Sequence, residues 1–207
     1  PDALARDAQV LGALANAGVA FHTYKDSTVF DRDEVMSKTG QPYTVFTPYK
    51  RAWLAKVDSF FLKPYPVRSH AHALAPPPAA HRAPVPSLED LGFGRSNLCE
   101  LDIPTGSQGA ATLFEDFFQR IDRYDETRDY PAVKGPSYLG VHLRFGTVSV
   151  RRLAREALAR AQAGSKGAAT WLSELVWRDF HHQVLHHHPH VVEHSFRPEY
   201  DAIRWER

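Results

Sequence analysis

Seven of the chain's fifteen prolines fall within residues 64–86, at Pro64, Pro66, Pro76, Pro77, Pro78, Pro84 and Pro86. Each fixes its own φ and removes a backbone donor, so neither a helix interior nor a central strand tolerates that density. The segment reads as an extended, partly polyproline-like connection. The chain must therefore build structure before it and after it, with a linker over residues 63–104. At 207 residues, 43% apolar and 24% charged, there is material for one large domain or two small ones.

The two sides are patterned differently. Before the linker, Asp2 is placed to cap a helix from Ala3 to about Ala17 with Leu4, Leu11 and Leu14 on one side and Gly18 as its stop. Val19–Tyr24 then reads as a strand. Residues 30–43 have no period and read as loop, and Tyr43–Phe46 as a short extended run. Thr47-Pro48 starts a helix to about Phe60, with Trp53, Leu54 and Val57 inward. Helix, glycine, strand is half of an α/β unit.

After Gly106 the pattern is helical. Ala110, Leu113, Phe114, Phe117 and Ile121 form one apolar stripe. Tyr124–Tyr138 reads as loop. Ser149 caps a helix to about Ala163 with Leu153, Ala157 and Leu158 inward. Residues 164–167 form a turn, and a long helix runs from about Ala168 to His187 with Pro189 past its end. The expected fold is α/β then all-α, divided as residues 1–62, 63–104 and 105–207.

Turning about 100° per residue, Trp171, Glu174, Arg178, His181 and Leu185 share one stripe of that helix, with Trp177 on its flank. Leu172, Val176, Phe180 and Val184 lie opposite. A helix apolar or aromatic all round is usually buried, and burying Glu174 and Arg178 without partners is expensive. They could pair with each other at i, i+4, worth roughly 0.2–0.5 kcal/mol when exposed. Alternatively the stripe is a site: arginine matches phosphate, tryptophan offers a stacking plane, and a carboxylate accepts from ring N–H groups.

The crowded histidines invite a metal reading, because His182 and His186 stand at i, i+4. No glutamate follows His182 and no cysteine lies near, so no metal is assigned. Histidines near a helix C-terminus are favoured by its dipole. A net charge of +1 announces no nucleic-acid partner, so a basic patch must be local. Cys99 is the single cysteine, so no intrachain disulfide can form and a reduced, cytoplasmic setting is expected. No apolar run approaches the roughly 20 residues of a membrane span, and no signal peptide is read. Pro1 in place of Met, and a stop at Arg207 within a patterned stretch, lead us to expect a piece of a longer protein.

Five stretches, in order, resemble the photolyase/cryptochrome family. They are Val45-Phe-Thr-Pro-Tyr-Lys-x-x-Trp53, the Tyr-x-x-x-Arg-Asp-Tyr-Pro-Ala run over 124–132, Leu143-Arg-Phe-Gly-Thr-Val-Ser149, Trp171-Leu-x-Glu-Leu-x-Trp-Arg-Asp-Phe180, and His188-Pro-His-Val191 with Phe196-Arg-Pro-Glu-Tyr200 through Trp205. The resemblance is greatest to bacterial cyclobutane pyrimidine dimer photolyases. It implies the tail of a Rossmann-like antenna domain, a linker, and the first half of a helical FAD-binding domain.

The family's cofactors would be FAD and an antenna chromophore of folate or deazaflavin type. The partner would be damaged DNA, bound by a monomer. By resemblance, Tyr124, Trp171 and Arg178 would contact FAD. So would the loop Pro136-Ser137-Tyr138-Leu139-Gly140, where Pro136 lacks the family's hydroxyl and N–H and Gly140 its second hydroxyl. Glu174 and Trp177 would face the lesion as catalytic residues. Arg128 would reach a DNA phosphate, with Arg178 and His181 beside the DNA. Reduced FAD, excited by blue light, would donate an electron to a flipped-out dimer. Two other readings stay open: a cryptochrome photoreceptor of the same architecture, and a helical interaction domain with a buried Glu–Arg pair.

Overall fold

Seven α-helices are present in the structure, a computed structural model that describes residues 2–94 and 96–204. They are α1 (Asp2–Asn16), α2 (Phe46–Lys56), α3 (Gly106–Phe118), α4 (Tyr124–Thr127), α5 (Gly140–Phe145), α6 (Val150–Gln162) and α7 (Lys166–His187). Among the described residues there is no strand. The expected α/β first part is therefore corrected to a helical one. Val19 and Tyr24, read as strand ends, are exposed in irregular chain. A strand exists only through ladder bonds to a neighbour, and no described segment supplies one. Among the described residues, no helix is long and apolar enough to cross a membrane.

The first helix behaves as its caps dictate. Gly18 takes φ +70°, and the Val19 N–H returns to the Leu14 carbonyl at 2.9 Å, the left-handed stop that glycine allows. Asp2 lies inside α1 rather than before it. Leu4 and Leu11 are exposed, so the leucine side of α1 is uncovered here. α2 begins at Phe46, ahead of the expected Thr47-Pro48 start, with Pro48 still in the first turn where a missing N–H loses nothing. Trp53 is fully buried, whereas Leu54 is exposed.

Among the described residues from Val57 to Thr105 there is no α-helix, only short 3-10 turns at Val67–Ala73, Ala79–His81 and Asn97–Leu101. That agrees with the proline density. Beyond it, α3 buries Ala110, Phe114 and Phe117 as the stripe predicts. Tyr124–Thr127, expected as loop, closes one helical turn instead. Ser149 caps α6 by accepting from the Arg152 N–H at 3.4 Å. α7 starts at Lys166, capped by Ser165, which accepts from the Ala168 N–H at 3.1 Å. Trp205 lies outside the described residues.

The core is one cluster that ignores the linker. Val29, Phe30, Val35, Tyr49 and Trp53 from before it pack with Leu153, Leu172, Val176 and Phe180 from after it. α7 is the axis of this cluster and touches α2, α4 and α6. Its start is set by Gly167. A Cβ there would stand 2.2 Å from the Ile121 carbonyl oxygen and 2.5 Å from Asp122 backbone.

Alanine normally favours a helix over glycine by about 1 kcal/mol. At residue 167 the clash is with backbone, which cannot rotate away. Gly167→Ala should therefore destabilise the chain by about 2 kcal/mol, measured as a lowered urea midpoint in tryptophan fluorescence. An unchanged or raised midpoint would contradict this packing.

Candidate functional site

α7 presents its side chains in two sets. Leu172, Leu175, Val176, Asp179 and Phe180 are buried, while Glu174, Trp177 and Arg178 are half-buried and His181 and Leu185 are exposed. The expectation that both faces are dry is thus corrected. The stripe carrying the candidate residues lies open to solvent below Trp171, which is the one member within the core. The Trp171 ring packs on Phe117 at 4.8 Å between centroids and on Phe114 at 6.3 Å.

Nor do Glu174 and Arg178 pair with each other. Glu174 accepts instead from Arg128 Nη1 at 2.5 Å. The Arg128 guanidinium also lies over the Tyr124 ring, 5.4 Å from its centroid. Tyr124 in turn meets Phe117 edge-on at 5.8 Å. Tyr124, Arg128 and Glu174 are therefore one cluster, assembled from α4 and α7. Partial burial raises the Tyr124 hydroxyl pKa, and the Glu174 contact raises that of Arg128.

Trp177 lies among aromatic rings. Phe46 stacks on one face at 3.6 Å and 8°, and the His181 ring lies 5.4 Å away at 25°. Phe46 escaped the sequence reading because it was placed in an extended run, ahead of the helix it actually starts.

Arg178 points elsewhere. Its Nη1 donates to the Ser27 carbonyl, and Nη2 to the Leu143 carbonyl at 3.5 Å. It lines a cleft of about 570 Å³ with Asp26, Ser27, Gly140, Arg144 and His182. Two arginines share that lining with one aspartate, a donor set suited to a phosphate or other anion. Burial lowers the Arg178 pKa, and burial likewise lowers that of His182, with Arg178 and His181 adding to it.

The loop Pro136–Gly140 reaches this cleft only through Gly140. Tyr138, at φ +56°, and Gly140 line a second, more apolar cleft with Ile103 and Leu113. The Ser137 hydroxyl accepts from the Leu139 N–H at 3.4 Å, and Leu139 is fully buried. Arg120 staples the loop by donating to the carbonyls of Lys134 at 2.5 Å, Gly135 at 2.8 Å and Pro136 at 3.0 Å. Trp171 and Arg178, expected on one ligand, are thus not brought to one cavity, whereas Gly140 and Arg178 are.

The residue that sequence reasoning missed is Asp179, which is fully buried. Its Oδ2 accepts from the Val29 N–H at 3.1 Å, the Phe30 N–H at 3.2 Å and the Trp53 indole N–H at 3.1 Å. The signal was available: an acid on the Leu172–Val176–Phe180 side of the wheel has to find buried donors. Desolvation pushes its pKa up to about 6, against the three donors and Arg178, which lower it. The histidines also hold a surprise, since His186 and His187 gather with Asp33 rather than with His182.

Comparison with known proteins bears on this geometry. A family model described as "DNA photolyase" matches residues 1–77, and one described as "FAD binding domain of DNA photolyase" matches residues 171–207. The chain is 33% identical over 208 residues to a deoxyribodipyrimidine photo-lyase of Halobacterium salinarum, covering 97% of this chain and 42% of that protein. It is 30% identical over 209 residues to the protein of that name from Escherichia coli, covering 98% and 42%. A crystal structure of a bacterial class III photolyase from Agrobacterium tumefaciens superposes with a TM-score of 0.77 at 25% identity, covering all of this chain and 43% of that one. The chain thus spans about two fifths of the length of these relatives.

Two outcomes follow. A double-mutant cycle of Arg128→Ala and Glu174→Gln should return a coupling of about 0.5–1 kcal/mol in unfolding free energy, because the pair is partly solvated. For Asp179, the folded pKa lies above the unfolded value of about 4. Its contribution is therefore fully present below pH 4 and is lost as pH rises through about 6. The unfolding free energy of the chain, minus that of Asp179→Asn, should fall between those limits and be flat above. A difference that rose with pH would reverse the assignment.

Proposed function

The chain belongs to the photolyase family, and on that premise we propose that it serves the light-driven repair of cyclobutane pyrimidine dimers in DNA. The supporting observation is the division of labour along α7. Glu174 and Trp177 are half-buried on one part of the stripe, while Arg178 turns into the cleft that Gly140 lines.

FAD suits the donors of that cleft. Arg178 and Arg144 would face its phosphates, with Gly140, the end of the Pro136–Gly140 loop, beside them. When bound and reduced, FAD supplies the photoexcited electron that opens the cyclobutane ring. The residues of this chain bind and orient. Arg178, held by two backbone carbonyls, keeps a fixed positive charge at the cleft. Arg120 fixes the start of the loop by its carbonyls, and Gly140 at the loop's end lines the cleft.

On the DNA side, a dimer stacks poorly and is cheap to flip out of the duplex. Trp177 provides a plane for it, already backed by Phe46. Glu174 accepts a hydrogen bond from the base. Arg128 is engaged with Glu174 in the free chain, so a DNA phosphate must share its guanidinium with that carboxylate. His181, stacked on Trp177 and exposed, borders the same surface. The setting this reading implies is the cytoplasm.

The natural protein that carries this sequence should show a flavin absorption spectrum and bind ultraviolet-damaged duplex in preference to undamaged duplex. Trp177→Ala should weaken damaged-duplex binding by about 1–3 kcal/mol, the worth of one stacked base, with undamaged binding unchanged. Flavin binding without any preference for damaged DNA would reject repair and favour a photoreceptor. Absence of flavin would reject both.

A further inference from the structure

The C-terminal turn of α7 meets the turn after Phe30, and there three metal-binding side chains converge. One ligand atom each from Asp33, His186 and His187 lies within 4.8 Å of the others. Each partner reaches this point for a separate reason. The 3-10 turn Arg32–Glu34 is locked by a capping box, in which Asp31 accepts from the Arg32 N–H at 3.0 Å and Glu34 accepts from the Asp31 N–H at 2.7 Å. Arg32 holds φ +22°, a value an L-residue seldom adopts. That turn sets Asp33 Oδ1 3.6 Å from His187 Nε2, with the Arg32 carbonyl 3.4 Å from the same nitrogen. His186 crosses His187 edge-on at 4.9 Å between ring centroids.

We propose that Asp33, His186 and His187 bind one divalent transition-metal ion of the zinc type. Two imidazoles and a carboxylate match a borderline cation and not magnesium or calcium, which require oxygen ligands throughout. Bond lengths of about 2.0–2.2 Å to a tetrahedral zinc ion place its ligand atoms about 3.4 Å apart. Asp33 and His186 are exposed, so their side chains are free to rotate toward that spacing. The last turn of α7 carries unpaired carbonyls and the negative end of the helix dipole, which favours a cation there.

Three protein ligands leave the fourth tetrahedral position open. His186 also lines a cleft of about 320 Å³ with Thr28, Asp31, Arg32, His182 and Gln183, so that position faces a space able to hold water or a small anion. The ion would fasten the Arg32–Glu34 turn to the end of α7, joining Asp33 to side chains far along the chain. Asp179, two helical turns back, ties residues 29 and 30 to the same helix. This assignment does not rest on the repair reading, since neither flavin nor DNA enters it.

Equilibrium dialysis of the metal-free 207-residue chain against zinc chloride should load one zinc per chain and raise the thermal midpoint. Asp33→Asn and His187→Ala should each weaken zinc binding by roughly tenfold or more, while His190→Ala/His194→Ala leaves it unchanged. Asp33 is 71% exposed in its side chain, so Asp33→Asn preserves the fold and keeps the test decisive if His187→Ala does not. Zinc that fails to bind overturns the proposal. So does zinc whose binding follows His190 and His194 instead, or magnesium that binds as well as zinc.

Discussion

The buried carboxylate of Asp179 is the interaction on which the rest of the structure depends. One oxygen accepts from two consecutive backbone N–H groups and from the Trp53 indole. Those donors come from the chain before the proline segment, and the acceptor comes from the chain after it. A segment of irregular backbone cannot be buried unless its N–H groups find partners. Asp179 supplies them for Val29 and Phe30, which lets both side chains enter the core at 1% exposure. The adjacent Arg178 then donates to the Ser27 carbonyl and to α5. Two neighbouring residues of α7 thus join the first part of the chain to the helical part and shape the cleft between them.

The same helix separates functions by register. Residues three and four apart lie on one face, yet each finds a different partner, because α7 is longer than any element it touches. Trp171 meets α3, Glu174 meets α4, Trp177 meets α2, and Arg178 meets α5 and the Ser27 region. A single stripe on a helical wheel becomes three environments: core, aromatic cluster and cationic cleft. Under the proposed repair reading, one side of the helix would face a cofactor and the other DNA.

Much of this was legible from local pattern. The stripe through Ala110, Phe114 and Phe117, the Ser149 cap, the Gly18 stop and the Pro189 boundary all stand where the residues put them. The failures share a cause. Val19–Tyr24 has strand propensity, but propensity makes no ladder without a neighbour. Leu54 looked inward on periodicity, but only the Tyr49–Trp53 side of α2 meets α7. Glu174 and Arg178 have ideal spacing for a pair, yet each has a stronger partner far off in sequence. Asp179 stood inside a recognised motif and passed unremarked because its donors are about 150 residues away.

The sequence by itself determined where the long helices α1, α3, α6 and α7 run, where no helix can run, and which family the motifs resemble. Caps, glycine stops and proline breaks act through neighbours within four residues, so they are readable without the fold. Only the tertiary structure decided which face of α7 is dry, which partner each charge takes, and that Asp33 meets His186 and His187. Those outcomes depend on desolvation and on donors brought close by packing, and a buried charge accepts whichever partner the packing delivers.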